Sequence, residues 1–413
     1  MSRVSAILVL QIIIASISGC LDSSKDLDGD GISDEIDEDK DGDGWKNSDE
    51  MMCGTDEMNR SSTPKDKDKD GVCNELDPDL DGLLDGWRNS SRPFALRTED
   101  PEWYGMNITT WQMENGGWRK NNMDGYMMPW EGEPIPATSS YFANLSTMAD
   151  RGTVKEIRFL SNLYSSSTNE SNRSAFKVAV ERGIEFVLES QHESGGWPQV
   201  YPEHSGPEYH KLMTYNDHVI VSGMLLLMDI NSRKKPFDTD IVENINFSRV
   251  DEAMEKGMEY ILASQVIVDG DLTIWGQQHD PYTFQTMPAR SYELAGRTGL
   301  ESAGVVAVLL NWEDRDERVV NATWAGIDWY EENVVFDLVF ENGEFSLSPG
   351  SMLWYRFYNT SDDQHFFSGR DGVKVFDFDE LEHGMATSGY TWAGNWAEKI
   401  IRETAKIPFS ERG

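Results

Sequence analysis

The chain has 413 residues, and 73 Asp plus Glu against 36 Lys plus Arg give a formal charge of −37. That acid excess excludes a nucleic-acid binder, whose affinity comes from clustered Lys and Arg, and passive adsorption to an anionic membrane. Aromatic residues at 11%, with 14 Trp, exclude a wholly disordered acidic polymer, and the length predicts two to three domains.

Residues 1–20 read as an export signal. A short basic start, Met1-Ser2-Arg3, precedes an apolar run from Val4 to Ile17 that is too short for a membrane span. The run closes on Ile17-Ser18-Gly19-Cys20, which resembles a lipobox. Cys20 is therefore expected to carry the lipid that anchors the protein at the outer cell surface, with an ordinary secretory signal as the alternative. Cys53 and Cys73 remain, an even pair that reads as one disulfide in an exported chain. Nine Asn-x-Ser/Thr sequons, from Asn59 to Asn359, fit an exported glycoprotein.

Residues 21–85 form an acidic segment in which 23 acids face 7 bases between Asp22 and Asp85. The acids alternate: Asp26, Asp28, Asp30, Asp34 and Asp37, then Asp39, Asp41, Asp43, Asn47 and Glu50. Alternate hard oxygen donors followed by glycine suit one Ca2+ per loop, and Asp39–Glu50 satisfies the twelve-residue pattern with Gly44 at the sharp turn. Asp66, Asp68, Asp70, Asn74 and Asp77 repeat it. Abutting loops leave no room for the flanking helices of an EF-hand. The series resembles thrombospondin type 3 repeats, which implies a calcium-cored spacer with Cys53 and Cys73 tying neighbouring repeats together.

Residues 86–413 are the expected working domain. Helical periodicity marks Val154–Tyr164, Arg173–Gln191, His218–Asp229 and Ser302–Asn311. The stretch Glu181-Arg-Gly-Ile-Glu-Phe-Val-Leu-Glu-Ser-Gln191 returns as Glu255-Lys-Gly-Met-Glu-Tyr-Ile-Leu-Ala-Ser-Gln265, and more weakly as Trp324–Asn333. Repeated helix pairs predict an all-α domain of hairpins around an axis, an α/α toroid. Strand-like alternation is confined to patches such as Val334–Phe340. Aromatic and polar residues share the loops after the helices, the mixture a sugar cleft uses for stacking and hydroxyl binding.

Ordered motifs then become specific. They are Gly116-Gly-Trp-Arg-Lys-Asn121, Glu156-Ile-Arg-Phe-Leu160, Gly195-Gly-Trp-Pro-Gln199, Thr214-Tyr-Asn-Asp217, Gln278-His-Asp-Pro281, Pro288-Ala-Arg-Ser-Tyr-Glu-Leu294, Phe366-Phe-Ser-Gly-Arg-Asp-Gly372 and Gly389-Tyr-Thr-Trp392. Together they resemble the polysaccharide lyase family 10 pectate lyases. The resemblance implies an incomplete (α/α)3 toroid and Ca2+-dependent β-elimination of polygalacturonate. It implies Arg290 as the base, Asp150 and Asp217 as calcium ligands, and Lys120 and Arg370 as cations for uronate carboxylates. Trp197, Asn216 and Tyr390, in matched motifs, are expected to contact substrate. One departure stands beside Asp150, where Asp150-Arg151-Gly152-Thr153 is a residue shorter than the family's Asp-Asn-Gly-Ala-Thr. The alternatives are an inactive, calcium-dependent polysaccharide-binding lipoprotein, and a toroidal glycoside hydrolase using Asp217 and Glu293. A monomer is expected.

Overall fold

Three helical hairpins are the frame on which the rest is hung, and one Gly–Trp device repeated three times locks them together. The computed structural model describes residues 27–29, 32–34, 36–37, 39–65, 100–119, 125–132, 145–203, 206–386 and 388–407. Cys20, Asp26, Asp30, Asp66, Asp68, Asp70, Cys73, Asn74, Asp77 and Lys120 lie outside the described residues. The chain divides into two compact units, 1–80 and 81–413.

Among the described residues of the first unit, a short helix, α1 (Asn47–Cys53), closes on Gly54 in the left-handed conformation. Cys53 is buried and disulfide-bonded.

The second unit begins with α2 (Pro101–Thr110). Asp100 caps it by accepting from the Trp103 N–H, and Pro101 sits where no helical donor is needed. Three hairpins come next: α3 (Val154–Ser166) with α4 (Glu170–Glu189), α5 (Val219–Asn231) with α6 (Phe247–Ala263), and α7 (Gly299–Leu310) with α8 (Glu317–Glu332). The second helix of each pair is amphipathic and turns one stripe inward. By contrast α5 and α7 are apolar almost all round, because each is enclosed by neighbours on every side. α5 packs on both α3 and α7, and α6 packs on both α4 and α8, so the hairpins are arranged as an incomplete (α/α)3 toroid. The strand patch resolves into a hairpin of Val335–Glu341 with Glu344–Tyr355, and short strand pairs line the loop end of the helices.

The repeat visible in the sequence has a physical cause. Trp118, Trp197 and Trp275 are wholly buried, and their indole N–H groups donate to Ile108, Val187 and Ile261 carbonyls. Each ring lies against a glycine of the next amphipathic helix. A Cβ built at Gly183, Gly257 or Gly326 would come within 3.1, 3.2 or 3.6 Å of Trp118, Trp197 or Trp275. Glutamines tie the layers. Gln112 Nε2 binds the Gly116 and Ala179 carbonyls, Gln191 Nε2 those of Gly195 and Ala253, and Gln265 Nε2 those of Thr273 and Ala322. Gly195 is obligatory: its φ is +100°, and a Cβ would meet the Lys256 carbonyl oxygen at 2.0 Å.

Gln191→Ala should therefore lower stability by about 1–3 kcal/mol, the cost of two carbonyls losing their donor in a part-buried site. Thermal or urea unfolding checks it; no change would mean that water replaces the amide.

Candidate active site

The working end of the toroid lies where the loops enter α3, α5 and α7. Two turns, Ala149–Arg151 and Asn216–His218, pack against each other there. Asp150 (φ 52°) and Asp217 (φ 53°) both occupy left-handed backbone, as does His218 (φ 60°). Non-glycine residues hold that conformation at a cost of about 1–3 kcal/mol, so a surrounding framework must enforce it. Here the framework is a strand pair. Thr147 faces Val200, the Met148 N–H donates to the Gln199 carbonyl at 3.2 Å, and Gln199 Nε2 donates to Asp217 Oδ2 at 2.8 Å. Asp150 is exposed, in the same left-handed conformation as Asp217 on the neighbouring turn.

Arg290 enters from the loop between α6 and α7. The Ala289 N–H bonds the Glu293 carbonyl, and the Glu293 N–H bonds the Arg290 carbonyl, closing a tight turn. Glu293 Oε1 accepts from Arg290 Nη1 at 2.8 Å and Oε2 from the Arg290 backbone N–H at 3.2 Å. Glu293 is only 1% exposed and is also reached by Asn216 Nδ2 at 3.4 Å. The Arg290 guanidinium lies over the Tyr209 ring, 5.9 Å from its centroid. Burial by itself would loosen the Arg290 proton. Glu293, with smaller contributions from Tyr292, Tyr209 and Asp217, overrides it, and the guanidinium is held more firmly protonated than usual.

A second arginine, unforeseen from the sequence, backs the site. Arg356 is buried, and its Nη2 donates to Glu301 Oε1 at 2.6 Å and to Asn216 Oδ1 at 3.2 Å. The Gln277 side-chain oxygen, in the orientation that satisfies both ends of its amide, accepts from Arg356 Nε and Nη2, each at 3.2 Å. Gln277 had a signal: Trp197-Pro-Gln199 and Trp275-Gly-Gln277 place a glutamine two residues after each tryptophan, with Lys120 at that position after Trp118. Arg356 had none, being 140 residues from Asn216 and 55 from Glu301.

Three expected substrate contacts are placed differently from one another. Trp197 is a correction: with 0% exposure and its N–H spent on Val187, it has no face for a sugar. Asn216 is also withdrawn, 2% exposed, with its amide bonded to Arg356 and Glu293. Tyr390 stays at the site, with its ring centroid 4.6 Å from the Arg356 guanidinium carbon and 5.5 Å from the Tyr292 ring. Arg370 is exposed, with its backbone N–H fixed by Glu382 Oε2 at 3.0 Å. The preceding strand is anchored by the Ser368 hydroxyl on the Tyr292 carbonyl, at 2.8 Å. Tyr292 lies within electrostatic reach of both Arg290 and Arg370, so the two cations share one neighbourhood.

In the first unit, carboxylate oxygens of Asp39, Asp41 and Asp43 lie within 4.8 Å of one another. Asp39 is oriented by the Gly42 and Gly44 N–H groups, both at 3.0 Å. Asp37 Oδ2, Asp41 Oδ2, Asp43 Oδ2 and Glu50 Oε2 are buried with no hydrogen-bond partner. Burial raises the Asp41 and Glu50 pKa values, and neighbouring carboxylates add to the rise. Unpartnered, converging carboxylates of this kind fit a hard cation. Asp28 and Asp34 are among the described residues nearby: Asp28 Oδ2 lies 2.6 Å from a Cβ built at Gly42, and Asp34 Oδ1 accepts from the Leu27 N–H. Asn47 Oδ1 accepts from the Lys40 N–H at 3.0 Å.

A helical toroid whose loop end gathers carboxylates and arginines around a left-handed turn is the frame of a carbohydrate-active enzyme. Residues 112–401 match the pectic acid lyase family, and the chain belongs to it. It is a polysaccharide lyase. It is similar to the family 10 polysaccharide lyase of Cellvibrio cellulosa, at 29% identity and a TM-score of 0.69 over 80% of this chain and 98% of that one. A mutant of the Cellvibrio enzyme in complex with trigalacturonic acid gives the same identity and TM-score, with 99% of that chain covered. No curated protein matches the chain.

Proposed function

We propose that the protein is a calcium-dependent pectate lyase that cleaves polygalacturonate by β-elimination, giving 4,5-unsaturated oligogalacturonides. The convergence of Arg290, Glu293 and Asp217 at the toroid's loop end carries this reading, supported by the trigalacturonic acid bound to the Cellvibrio relative. In β-elimination the C5 proton, α to the C6 carboxylate, passes to the base, the C4–C5 double bond forms as the C4–O4 bond breaks, and O4 leaves on the neighbouring sugar and takes a proton from water. Asp150 and Asp217 offer the hard oxygens for Ca2+, which would draw charge from the uronate carboxylate and acidify C5. Arg370 suits bidentate capture of a carboxylate, and Lys120 is assigned to a second uronate.

Arg290 is proposed as the base. In the free site Glu293 holds its proton, so the base form has to be generated in the complex. Further desolvation by the substrate, and the positive charge of a Ca2+ held on the uronate carboxylate, would both act in the direction in which burial already acts. The hydrolase alternative loses its acid: Glu293 is buried and already engaged by Arg290 and Asn216.

The test is incubation with polygalacturonate and Ca2+ while the absorbance of unsaturated uronides is followed. Rising absorbance that a chelator stops supports the reading, and reducing ends without absorbance refute it.

The Asp39–Glu50 loop is proposed as a separate Ca2+ site in a spacer behind a Cys20 lipid anchor, with the chain exported. Trp45 lies inside this loop, its backbone N–H donating to Asp43 Oδ1 at 2.8 Å, and would sensitise a bound lanthanide. Terbium luminescence excited through tryptophan should appear on titration and fall at least ~10-fold in affinity in Glu50→Gln, which removes the charge of a buried donor. Unchanged affinity would reject this loop as the site.

A further inference from the structure

The three repeats place a carboxylate at one register, and only two of the three have been given a role. The backbone N–H groups of Thr147, Thr214 and Thr298 donate to the carbonyls of Trp118, Trp197 and Trp275, at 2.9, 3.0 and 2.8 Å. Three residues beyond each threonine stand Asp150, Asp217 and Glu301. The first two lie on the left-handed turns assigned to Ca2+.

Glu301 meets different surroundings. It is 1% exposed in the first turn of α7, and its two oxygens are taken by the Thr298 hydroxyl and by Arg356 Nη2. Arg356 connects it to the rest of the site. The same Nη2 reaches Asn216 Oδ1, which also accepts the Asp217 N–H at 3.0 Å. Asn216 Nδ2 points the other way, to the carboxylate of Glu293 that holds Arg290. A planar guanidinium can serve several acceptors at fixed angles, where an ammonium acts as a point charge. A third ionised carboxylate without that partner would repel a uronate or compete for its cation.

We propose that Glu301 is a positioning residue of the lyase site. It is the third-repeat counterpart of Asp150 and Asp217, matched to a fixed internal cation, Arg356, and through Arg356 it sets both the Asp217 turn and the Glu293–Arg290 pair. The inference rests on the lyase reading above. Its side-chain length matters, since an aspartate on α7 falls one methylene short of Arg356.

The experiment uses the full chain with polygalacturonate and Ca2+. Wild-type product formation reports on the lyase reading alone, and the ratio of variant to wild type reports on Glu301. Glu301→Gln keeps the shape and removes the charge. It should lower kcat roughly 10- to 100-fold, the scale of a misplaced catalytic group, and raise the Ca2+ concentration needed for half-activation. Glu301→Asp should not restore kcat.

A purely structural residue would lower the melting temperature without moving the Ca2+ dependence. Because Glu301 acts through Arg356, the loss in Glu301→Gln/Arg356→Gln should equal that in Arg356→Gln alone. A folded Glu301→Gln chain with wild-type kcat and Ca2+ dependence, or fully additive losses, would overturn the proposal. Where Glu301→Gln fails to fold, Thr298→Val removes only the hydroxyl donor to Glu301. It should cut kcat several-fold in a chain that still folds, and an unchanged kcat would equally overturn it.

Discussion

Arg290→Ala should leave a folded chain whose turnover on polygalacturonate falls by roughly 10²–10⁴, the range for loss of a general base. The side chain is one-third exposed, so its removal opens no core cavity, but buried Glu293 loses its ion partner and some stability is lost with it. Arg290→Lys should rescue poorly, because an ammonium cannot keep both the Glu293 contact and the stacked position over Tyr209. The pH profile gives the mechanism a sign. Glu293 raises the Arg290 pKa, so Glu293→Gln should make the proton easier to lose and move the rise of kcat/KM with pH to lower pH. Initial rates of unsaturated product across pH, with circular dichroism as the folding control, provide the check. Near-normal turnover in folded Arg290→Ala, or a Glu293→Gln profile displaced upward, would remove Arg290 as the base.

Much of this was legible in the chain, and the part that was not has a geometric explanation. The Glu-Arg-Gly and Glu-Lys-Gly repeats announced the hairpins because the constraint behind them is local. Each glycine must admit a tryptophan ring, and that requirement recurs from hairpin to hairpin, at Gly183, Gly257 and Gly326. Asp217, Arg290 and Arg370 were expected only from the resemblance of their short motifs to the family's, each motif lying within one loop. Arg356 could not be found in this way, since its partners Glu301, Asn216 and Gln277 come from three separate segments and meet only in the toroid. Trp197 was misplaced for the opposite reason. A loop rich in Gly, Trp and Pro has the composition of a sugar platform, yet composition does not say which way a ring faces.

The charge of −37 acquires a local meaning as well. A polyanionic substrate and an acidic protein are compatible when the few cations are concentrated at the site, where field and contact are strongest. Arg290, Arg370 and Arg356 occupy one end of the toroid, and Glu293 and Glu301 fix two of them in place. The acids most exposed to solvent elsewhere keep the surface hydrated and do not enter the chemistry.

Trp197→Ala should lower stability by about 3–5 kcal/mol, more than any loop substitution at the cleft, because the ring fills the junction of three helices. Its indole N–H caps the Val187 carbonyl of α4, at 2.9 Å. A Cβ at Gly223 of α5 would lie 3.6 Å from the ring, and one at Gly257 of α6 would lie 3.2 Å from it. Removing the ring empties a space that rigid helix backbones cannot close, since the glycines opposite have no side chain to move in. The Val187 carbonyl loses its donor too. Trp197→Phe should recover part of the loss by filling volume, but not the hydrogen bond. The measurement is a melting curve beside KM for polygalacturonate, taken well below the transition. A core tryptophan predicts a large drop in melting temperature with KM within about twofold of wild type, since contacts with substrate are untouched. A sugar platform predicts the reverse: an unchanged melt and a KM raised by an order of magnitude, consistent with about 1.4 kcal/mol of lost stacking. The burial of the ring and its bond to α4 commit the protein to the first outcome.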